Sequence, residues 1–291
     1  MDALTVTTRD GRSLTVYDAG DPDGRPIVFH HGTPMTGTPF EPHVAYAREN
    51  GLRLVSFDRA GYGDSSRDAG RTVANVAKDV AVIADALGLQ RFATWGLSGG
   101  GPHALATAAG LPDRVVAVAT AASVAPPGLP DFELTDGMGE GNIVEFGLAR
   151  QGEESLRPYL ERETEGIDDL DAAGLVDSMR TVLSDLDAAT LDGGVGAFIL
   201  ECFRTGLARG VDGWLDDDLA FVQPWGFELA AINTPSLVIQ GRQDLMVPWS
   251  HGEWLAANVP GAEAWLREDE GHLTLFVGLA PGIHDWLAAR F

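Results

Sequence analysis

The chain has 291 residues, 45% of them hydrophobic and 22% charged, and this composition excludes a disordered or fibrous protein. Lysine and arginine number 20 against 43 aspartates and glutamates, so the formal net charge is −23. Such a charge repels phosphate backbones and anionic lipid headgroups. The sequence therefore predicts no nucleic-acid partner and no membrane partner.

The N-terminal residues lack a basic segment followed by an apolar run, and no later stretch approaches about 18 uninterrupted apolar residues. Cys202 is the single cysteine, which excludes an intramolecular disulfide and a metal site built from several cysteines. These features predict a cytoplasmic protein without a metal site.

The elements before residue 126 alternate between strand and helix after an opening hairpin, whose tight turn suits Asp10 and Gly11. The apolar runs RPIVFHHG, GLRLVSFDRAG, RFATWG and VVAVATAAS predict buried strands. Helical spacing predicts helices over residues 40–49, 73–87 and 102–110. This alternation predicts an α/β fold with a mostly parallel central sheet flanked by helices.

The alternation stops at the stretch VAPPGLP, which begins at Val124. Residues 131–218 then hold 22 acidic residues against 6 arginines and show helical spacing without a strand pattern. We interpret these acids as the solvated surface of a helical insert. The later runs SLVIQG and AEAWLRE predict two further strands. The sequence thus predicts a core of residues 1–125 and 233–291 and a helical cap of residues 126–232.

Ser98 lies in the sequence GLSGG between a predicted strand and a predicted helix. A GxSxG pattern in that context is typical of a nucleophile elbow, where glycines remove β-carbons that would clash. A serine hydroxyl needs a base that is itself oriented by an acid. Asp244 and His272 each follow a predicted strand, so their side chains are expected at the same sheet edge as Ser98.

Five segments in order resemble serine hydrolases of the α/β-hydrolase fold with a helical cap, and they extend over nearly the whole chain. The resemblance implies Ser98 as the nucleophile, His272 as the base and then the acid, and Asp244 as the residue that orients His272. It also implies an oxyanion hole formed by the backbone N–H groups of Thr33 and Gly99, with no metal and no cofactor. The segments are residues 31–34, 58–65, 96–100, 241–248 and 271–272.

The motifs and the resemblance predict a carboxylic-ester hydrolase acting through a Ser98 acyl-enzyme on a small, neutral, largely apolar substrate. The same triad also serves lactonases, thioesterases, proline iminopeptidase-like amidases, carbon–carbon hydrolases and perhydrolases, because a fold does not fix the reaction. Outside enzymes, the alternative is a non-catalytic ligand receptor of the same fold. A small-molecule substrate is the expected partner, and the oligomeric state is open between monomer and homodimer.

Several further residues have expected structural roles. His31 is expected to fix the oxyanion loop, Asp58 to brace its own loop, and His103 to point away from the serine hydroxyl. Cys202 has the spacing of a buried apolar residue. About one in three of seven aromatic residues is expected to line a pocket under the cap. These are Trp95, Phe146, Phe198, Phe203, Trp214, Trp225 and Phe227.

Overall fold

The computed structural model describes residues 3–191 and 194–291, with an eight-stranded sheet at its centre. The strands are β1 (Leu4–Thr7), β2 (Ser13–Gly20), β3 (Arg25–His30), β4 (Leu52–Phe57), β5 (Phe92–Leu97), β6 (Val115–Ala121), β7 (Ser236–Gly241) and β8 (Glu263–Arg267). Their order is β1-β2-β4-β3-β5-β6-β7-β8. Strand β2 is antiparallel to both neighbours, and all other adjacent pairs are parallel. The predicted α/β class is confirmed.

Helices cover both faces of the sheet. Helices α1 and α11 pack on one face, and α2, α3 and α10 pack on the other. In the described residues between β6 and β7, six further α-helices follow one another, α4 to α9. The bounds are α1 (Glu41–Glu49), α2 (Val76–Ala86), α3 (Gly100–Gly110), α4 (Glu140–Ala149), α5 (Glu153–Glu163), α6 (Ala172–Ser178), α7 (Asp185–Thr190), α8 (Gly194–Leu207), α9 (Asp212–Phe221), α10 (Trp249–Asn258) and α11 (Leu273–Ala288).

The predicted elements are present with shifted ends. The helix predicted over residues 73–87 begins as a 3-10 turn at Val73–Asn75 and continues as α2 to Ala86. No helix in the described ranges is long and apolar enough to cross a membrane.

The central strands β5, β6 and β7 are buried at every position, as expected for parallel strands covered on both faces. His30 at the end of β3 pairs with Gly96 of β5, and Leu97 at the end of β5 pairs with Ala121 of β6. Strands β3, β5 and β6 therefore end close together. Loops at the carboxyl ends of adjacent parallel strands form the usual binding crevice of such sheets. This edge therefore carries the candidate site.

The segment between β6 and β7 is helical and shows no strand in its described residues, in agreement with the predicted insert. The division at residues 126 and 232 stays a prediction. The interpretation of its acids as a solvated surface is wrong for four of them, since Asp187, Asp216, Asp217 and Asp218 are all buried. Distant segments supply their partners: Asp187 accepts a hydrogen bond from the backbone of His272, and Asp216 pairs with Arg67.

Candidate active site

Ser98 occupies a strained turn between β5 and α3. Its φ is 54°, in the left-handed region that side-chain-bearing residues rarely adopt. A β-carbon on Gly96 would overlap the carbonyl oxygen of Gly100, and one on Gly100 would overlap the carbonyl oxygen of His30. The strand and the helix approach so closely that both glycines are required. The turn therefore has the geometry predicted for an elbow.

Asp244 and His272 meet at the carboxyl ends of β7 and β8. His272 Nδ1 lies 2.8 Å from Asp244 Oδ2, and both side chains are almost fully buried. The other carboxylate oxygen, Oδ1, accepts hydrogen bonds from the backbone N–H groups of Met246 and Val247, each at 2.8 Å. Gln240 Nε2 also donates to Oδ2 at 3.1 Å. These bonds fix the carboxylate and, through it, the imidazole ring.

The charge of Asp244 controls the protonation of His272. Burial by itself lowers the pKa of His272, but the Asp244 carboxylate and, further away, Asp187 raise that pKa above its ordinary value of 6.5. An imidazole with Nδ1–H directed at a carboxylate presents the lone pair of Nε2 to other groups. His272 is therefore arranged to accept a proton at Nε2.

The loop that carries His272 is held by Asp187, which lies in α7 of the inserted segment. The backbone N–H of His272 donates to Asp187 Oδ2 at 3.0 Å, and that of Leu273 donates to Oδ1 at 2.7 Å. Ser184 Oγ donates to the same carboxylate at 2.7 Å. A β-carbon on Gly271 would overlap it. Asp187 thus caps the N-terminus of α11, a role the sequence analysis missed because the acid lies 85 positions earlier.

Thr33 and Gly99, the two residues predicted for the oxyanion hole, lie against each other beside Ser98. All three line the same cavity. A β-carbon on Gly99 would overlap Thr33 Oγ1, so the glycine allows this close approach. The structure brings together the residues predicted for the nucleophile and the oxyanion hole, while Asp244 and His272 pair at the same sheet edge.

A buried ion network behind Thr33 is a second feature that the sequence analysis missed. Its centre is Asp217 in α9, which is fully buried. Burial alone would raise the pKa of Asp217, but two neighbouring guanidinium groups hold it well below its usual range. The groups bonded to the carboxylate are Thr33 Oγ1 (2.7 Å), Arg59 Nη2 (2.6 Å), Tyr62 OH (2.8 Å), Arg71 Nη2 (2.7 Å) and His103 Nε2 (3.1 Å).

One sequence signal points to this network. Asp216, Asp217 and Asp218 are consecutive in a predicted helix, where neighbouring positions differ by about 100°. Three consecutive side chains therefore spread over about 200° of the helix circumference. A helix that packs on a core exposes too little of its circumference for all three to face solvent. One of them must then face a buried cation or a cavity.

The structure meets the expectations for His31 and Asp58. His31 Nδ1 lies 2.8 Å from Gly32 O, and its Nε2 accepts the backbone N–H of Arg59 at 3.1 Å. Burial and the Arg59 charge hold the pKa of His31 well below its usual value, so the ring is neutral. Asp58 Oδ1 accepts the backbone N–H of Gly37 at 2.8 Å, bracing the loop as predicted.

The cavity over Ser98 has a volume of about 290 Å³ and lies between the sheet edge and the inserted helices. Three of the seven predicted aromatic residues line it, Phe146, Phe203 and Trp214, and Tyr159 and Phe221 add two more. Trp95 and Phe198 instead line a smaller separate cavity. In the parts of the chain that the structure describes, no cluster of three or more His, Cys, Asp or Glu side chains is arranged to hold a metal ion.

The chain is similar in sequence to known α/β-hydrolase-fold proteins. A family model described as alpha/beta hydrolase fold matches residues 25–146. A non-heme chloroperoxidase of Streptomyces lividans is 38% identical over 125 residues, which are 42% of this chain and 45% of that protein. A bifunctional esterase/perhydrolase of Acinetobacter calcoaceticus is 28% identical over 247 residues, or 84% of this chain and 83% of that protein.

Solved structures extend the likeness over the full fold. An esterase from Thermogutta terrifontis has a TM-score of 0.72 at 21% identity, covering 100% of this chain and 99% of the other. An enol-lactonase from Burkholderia xenovorans LB400 has a TM-score of 0.69 at 23% identity, covering 98% and 99%. Together with the family model, these structures confirm the predicted fold. The family model and the similarity in sequence to the esterase/perhydrolase support a hydrolase activity.

Proposed function

We propose that this chain, which has the α/β-hydrolase fold, hydrolyses carboxylic esters through an acyl-enzyme on Ser98. The observation that carries the proposal is the 2.8 Å contact between His272 Nδ1 and Asp244 Oδ2 at the sheet edge that also bears Ser98. A fixed acid and an oriented imidazole are what a serine hydroxyl needs to act as a nucleophile.

The proposed acylation transfers one proton and breaks one bond. Ser98 Oγ attacks the ester carbonyl carbon while His272 Nε2 takes the hydroxyl proton, and Asp244 stabilises the imidazolium that forms. The tetrahedral oxyanion accepts hydrogen bonds from the backbone N–H groups of Thr33 and Gly99. When the intermediate collapses, His272 returns the proton to the leaving alkoxide, and the alcohol departs.

Deacylation repeats these steps with water as the nucleophile. His272 takes a proton from the water as its oxygen attacks the acyl carbon, and then returns a proton to Ser98 Oγ as the serine leaves. The products are the carboxylic acid and the free enzyme. No cofactor is needed for either half of this reaction.

The cavity favours a small substrate. A volume of about 290 Å³ is at the lower end of the range for small-molecule pockets. The aromatic side chains around it, together with Leu170, Leu175 and Met179, provide apolar contacts for an acyl or alkyl chain. We therefore propose a short, largely apolar ester.

The proposal is tested with a fluorophosphonate probe, which reacts only with an activated serine. We expect the probe to label the wild-type protein at Ser98 and to leave Ser98→Ala unlabelled. Hydrolysis rates for esters, lactones, thioesters and amides of graded acyl length then define the bond that is cleaved. Absence of labelling in correctly folded wild-type protein contradicts the proposed mechanism.

Perhydrolysis is a second candidate, favoured by the similarity to a bifunctional esterase/perhydrolase and to non-heme chloroperoxidases. In this reaction hydrogen peroxide replaces water as the nucleophile that attacks the Ser98 acyl-enzyme, which gives a peracid and the free serine. The test is peracid formation from a short acyl ester and hydrogen peroxide. Peracid production that persists in Ser98→Ala excludes this route.

A further inference from the structure

The cavity over Ser98 has a strongly acidic lining on the side of the inserted helices. Four carboxyl side chains line it: Glu145, Glu163, Glu165 and Asp218. Among the described residues that line the cavity there is no lysine and no arginine. The potential inside is therefore negative, which favours cationic ligands and disfavours carboxylates.

Glu145 in α4 and Asp218 in α9 form a pair within this lining. Their carboxyl groups lie within hydrogen-bonding reach of each other. Trp214 Nε1 donates to Glu145 Oε1 at 2.7 Å, which fixes the orientation of that carboxyl group. The pair is therefore a preorganised feature of the cavity.

Asp218 is only 1% exposed, and apart from the neighbouring Glu145 carboxyl group its Oδ2 has no hydrogen-bond partner within residues 3–191 and 194–291. A buried carboxyl oxygen whose one polar neighbour is a second carboxyl group lacks a donor unless the two groups share a proton. Because Asp218 lines the cavity, the donor that this oxygen lacks can come from a bound ligand.

The charges around Glu145 and Asp218 also favour a cationic ligand. Burial raises the pKa of Asp218 well above its usual value, and Glu145 and Asp217 raise it further. Arg71 acts in the opposite direction, but its guanidinium is bonded to Asp217 at 2.7 Å. Burial likewise raises the pKa of Glu145, and the negative charge of Glu163 raises it further. Among the described residues, no lysine or arginine forms an ion pair with Glu145 or Asp218. The raised pKa values favour a proton on the pair, and a cationic group that enters the cavity can take the place of that proton.

We propose that Glu145 and Asp218 form a subsite for a protonated primary or secondary amine carried by the substrate. An ammonium group supplies N–H donors to both carboxylates as well as a balancing charge, and such charge-assisted hydrogen bonds are the strong ones. The inference rests on the proposed ester hydrolysis and replaces the neutral substrate expected from the sequence with an amine-bearing one. The apolar lining holds the alkyl chain between the ester and the amine.

A binding experiment tests the subsite without requiring turnover. The Ser98→Ala protein is titrated calorimetrically with n-alkylammonium ions of three to six carbons and with the matched n-alkanols. We expect the best ammonium to bind at least tenfold more tightly than its alcohol, and Asp218→Asn in the same background to abolish this preference. Glu140→Gln removes an exposed carboxylate from α4 outside the cavity and is expected to keep the preference.

A kinetic experiment locates the subsite relative to Ser98. Ethyl esters of ω-amino acids with three to six carbons are each paired with an ester in which a methyl group replaces the ammonium. We expect the ratio of kcat/KM values, amine over methyl, to exceed ten for at least one length. It should fall at least tenfold in Asp218→Asn but not in Glu140→Gln. Glu145→Gln is the second variant if Asp218→Asn shows no cooperative melting transition.

Equal binding of ammonium and alcohol by the Ser98→Ala protein overturns the proposed subsite, as does a kinetic ratio that is the same in wild type and Asp218→Asn. Neither result bears on the chemistry at Ser98, because the methyl-terminated esters report hydrolysis directly. If no ester of either kind is cleaved while ammonium binding persists, the proposed hydrolysis fails and the subsite remains.

Discussion

Asp217 Oδ2 lies 2.7 Å from Thr33 Oγ1, so a carboxylate of the inserted segment holds the side chain of the loop that follows β3. The same carboxylate pairs with the buried guanidinium groups of both Arg59 and Arg71. The contact joins the inserted helices to the loop proposed to bind the oxyanion. Loss of the Asp217 charge should therefore affect both stability and turnover.

Asp217→Asn is expected to lower the free energy of unfolding by about 3–5 kcal/mol, because removing one partner of a buried ion pair leaves uncompensated charge. Chemical denaturation measures this change. Asp212→Asn in the same helix is the matched control, since Asp212 forms partly exposed ion pairs and its loss should change the free energy by less than about 1 kcal/mol. Similar effects for the two variants contradict a special role for Asp217.

Asp187→Asn is expected to slow the labelling of Ser98 by the fluorophosphonate probe by roughly tenfold or more. The variant loses a charged acceptor for the backbone of His272 and Leu273, and hydrogen bonds to charged groups contribute about 1.5–3 kcal/mol. Asp185→Asn replaces an exposed acid on the same helix and should label at the wild-type rate. A wild-type rate for Asp187→Asn removes its proposed role in positioning His272.

The rate of Ser98 labelling should depend on pH through His272. The base must be neutral to take the serine proton, so the rate falls as the pH drops through the pKa of His272. Asp244 raises this pKa, so we expect the midpoint to lie above 6.5. Asp244→Asn removes the raising charge and should move the midpoint downward while lowering the maximal rate. A profile that is flat from pH 5 to 9 excludes His272 as the base.

Gly100→Ala is expected to lower the free energy of unfolding by about 3 kcal/mol or more, because its β-carbon would overlap the backbone oxygen of His30. Gly147→Ala is the control, since it lies within α4 and a β-carbon there meets no atom within 4 Å. That variant should be more stable than wild type by about 0.5–1 kcal/mol, the gain of alanine over glycine in a helix. A lower free energy of unfolding for Gly100→Ala and a higher one for Gly147→Ala support tight packing of the turn around Ser98.

The sequence predicted the strand and helix order and the positions of Ser98, Asp244 and His272 because these depend on local patterns. Apolar periodicity specifies an element and the face it buries. Glycines at a strand-to-helix turn specify the close approach of backbones around Ser98. Asp244 and His272 follow strands, and the carboxyl ends of parallel strands meet at one edge. That order brings the two loops to the same edge, where the structure places the two side chains 2.8 Å apart.

Only the tertiary structure decided what the acids of the inserted segment do. Asp216, Asp217 and Asp218 are adjacent and chemically identical in the sequence. In the fold Asp216 pairs with Arg67, Asp217 binds two buried arginines, and Asp218 faces the cavity. Arg59 lies 158 positions from Asp217. The charge state and role of a carboxyl group depend on its burial and on the groups around it, and in this chain distant segments supply those groups.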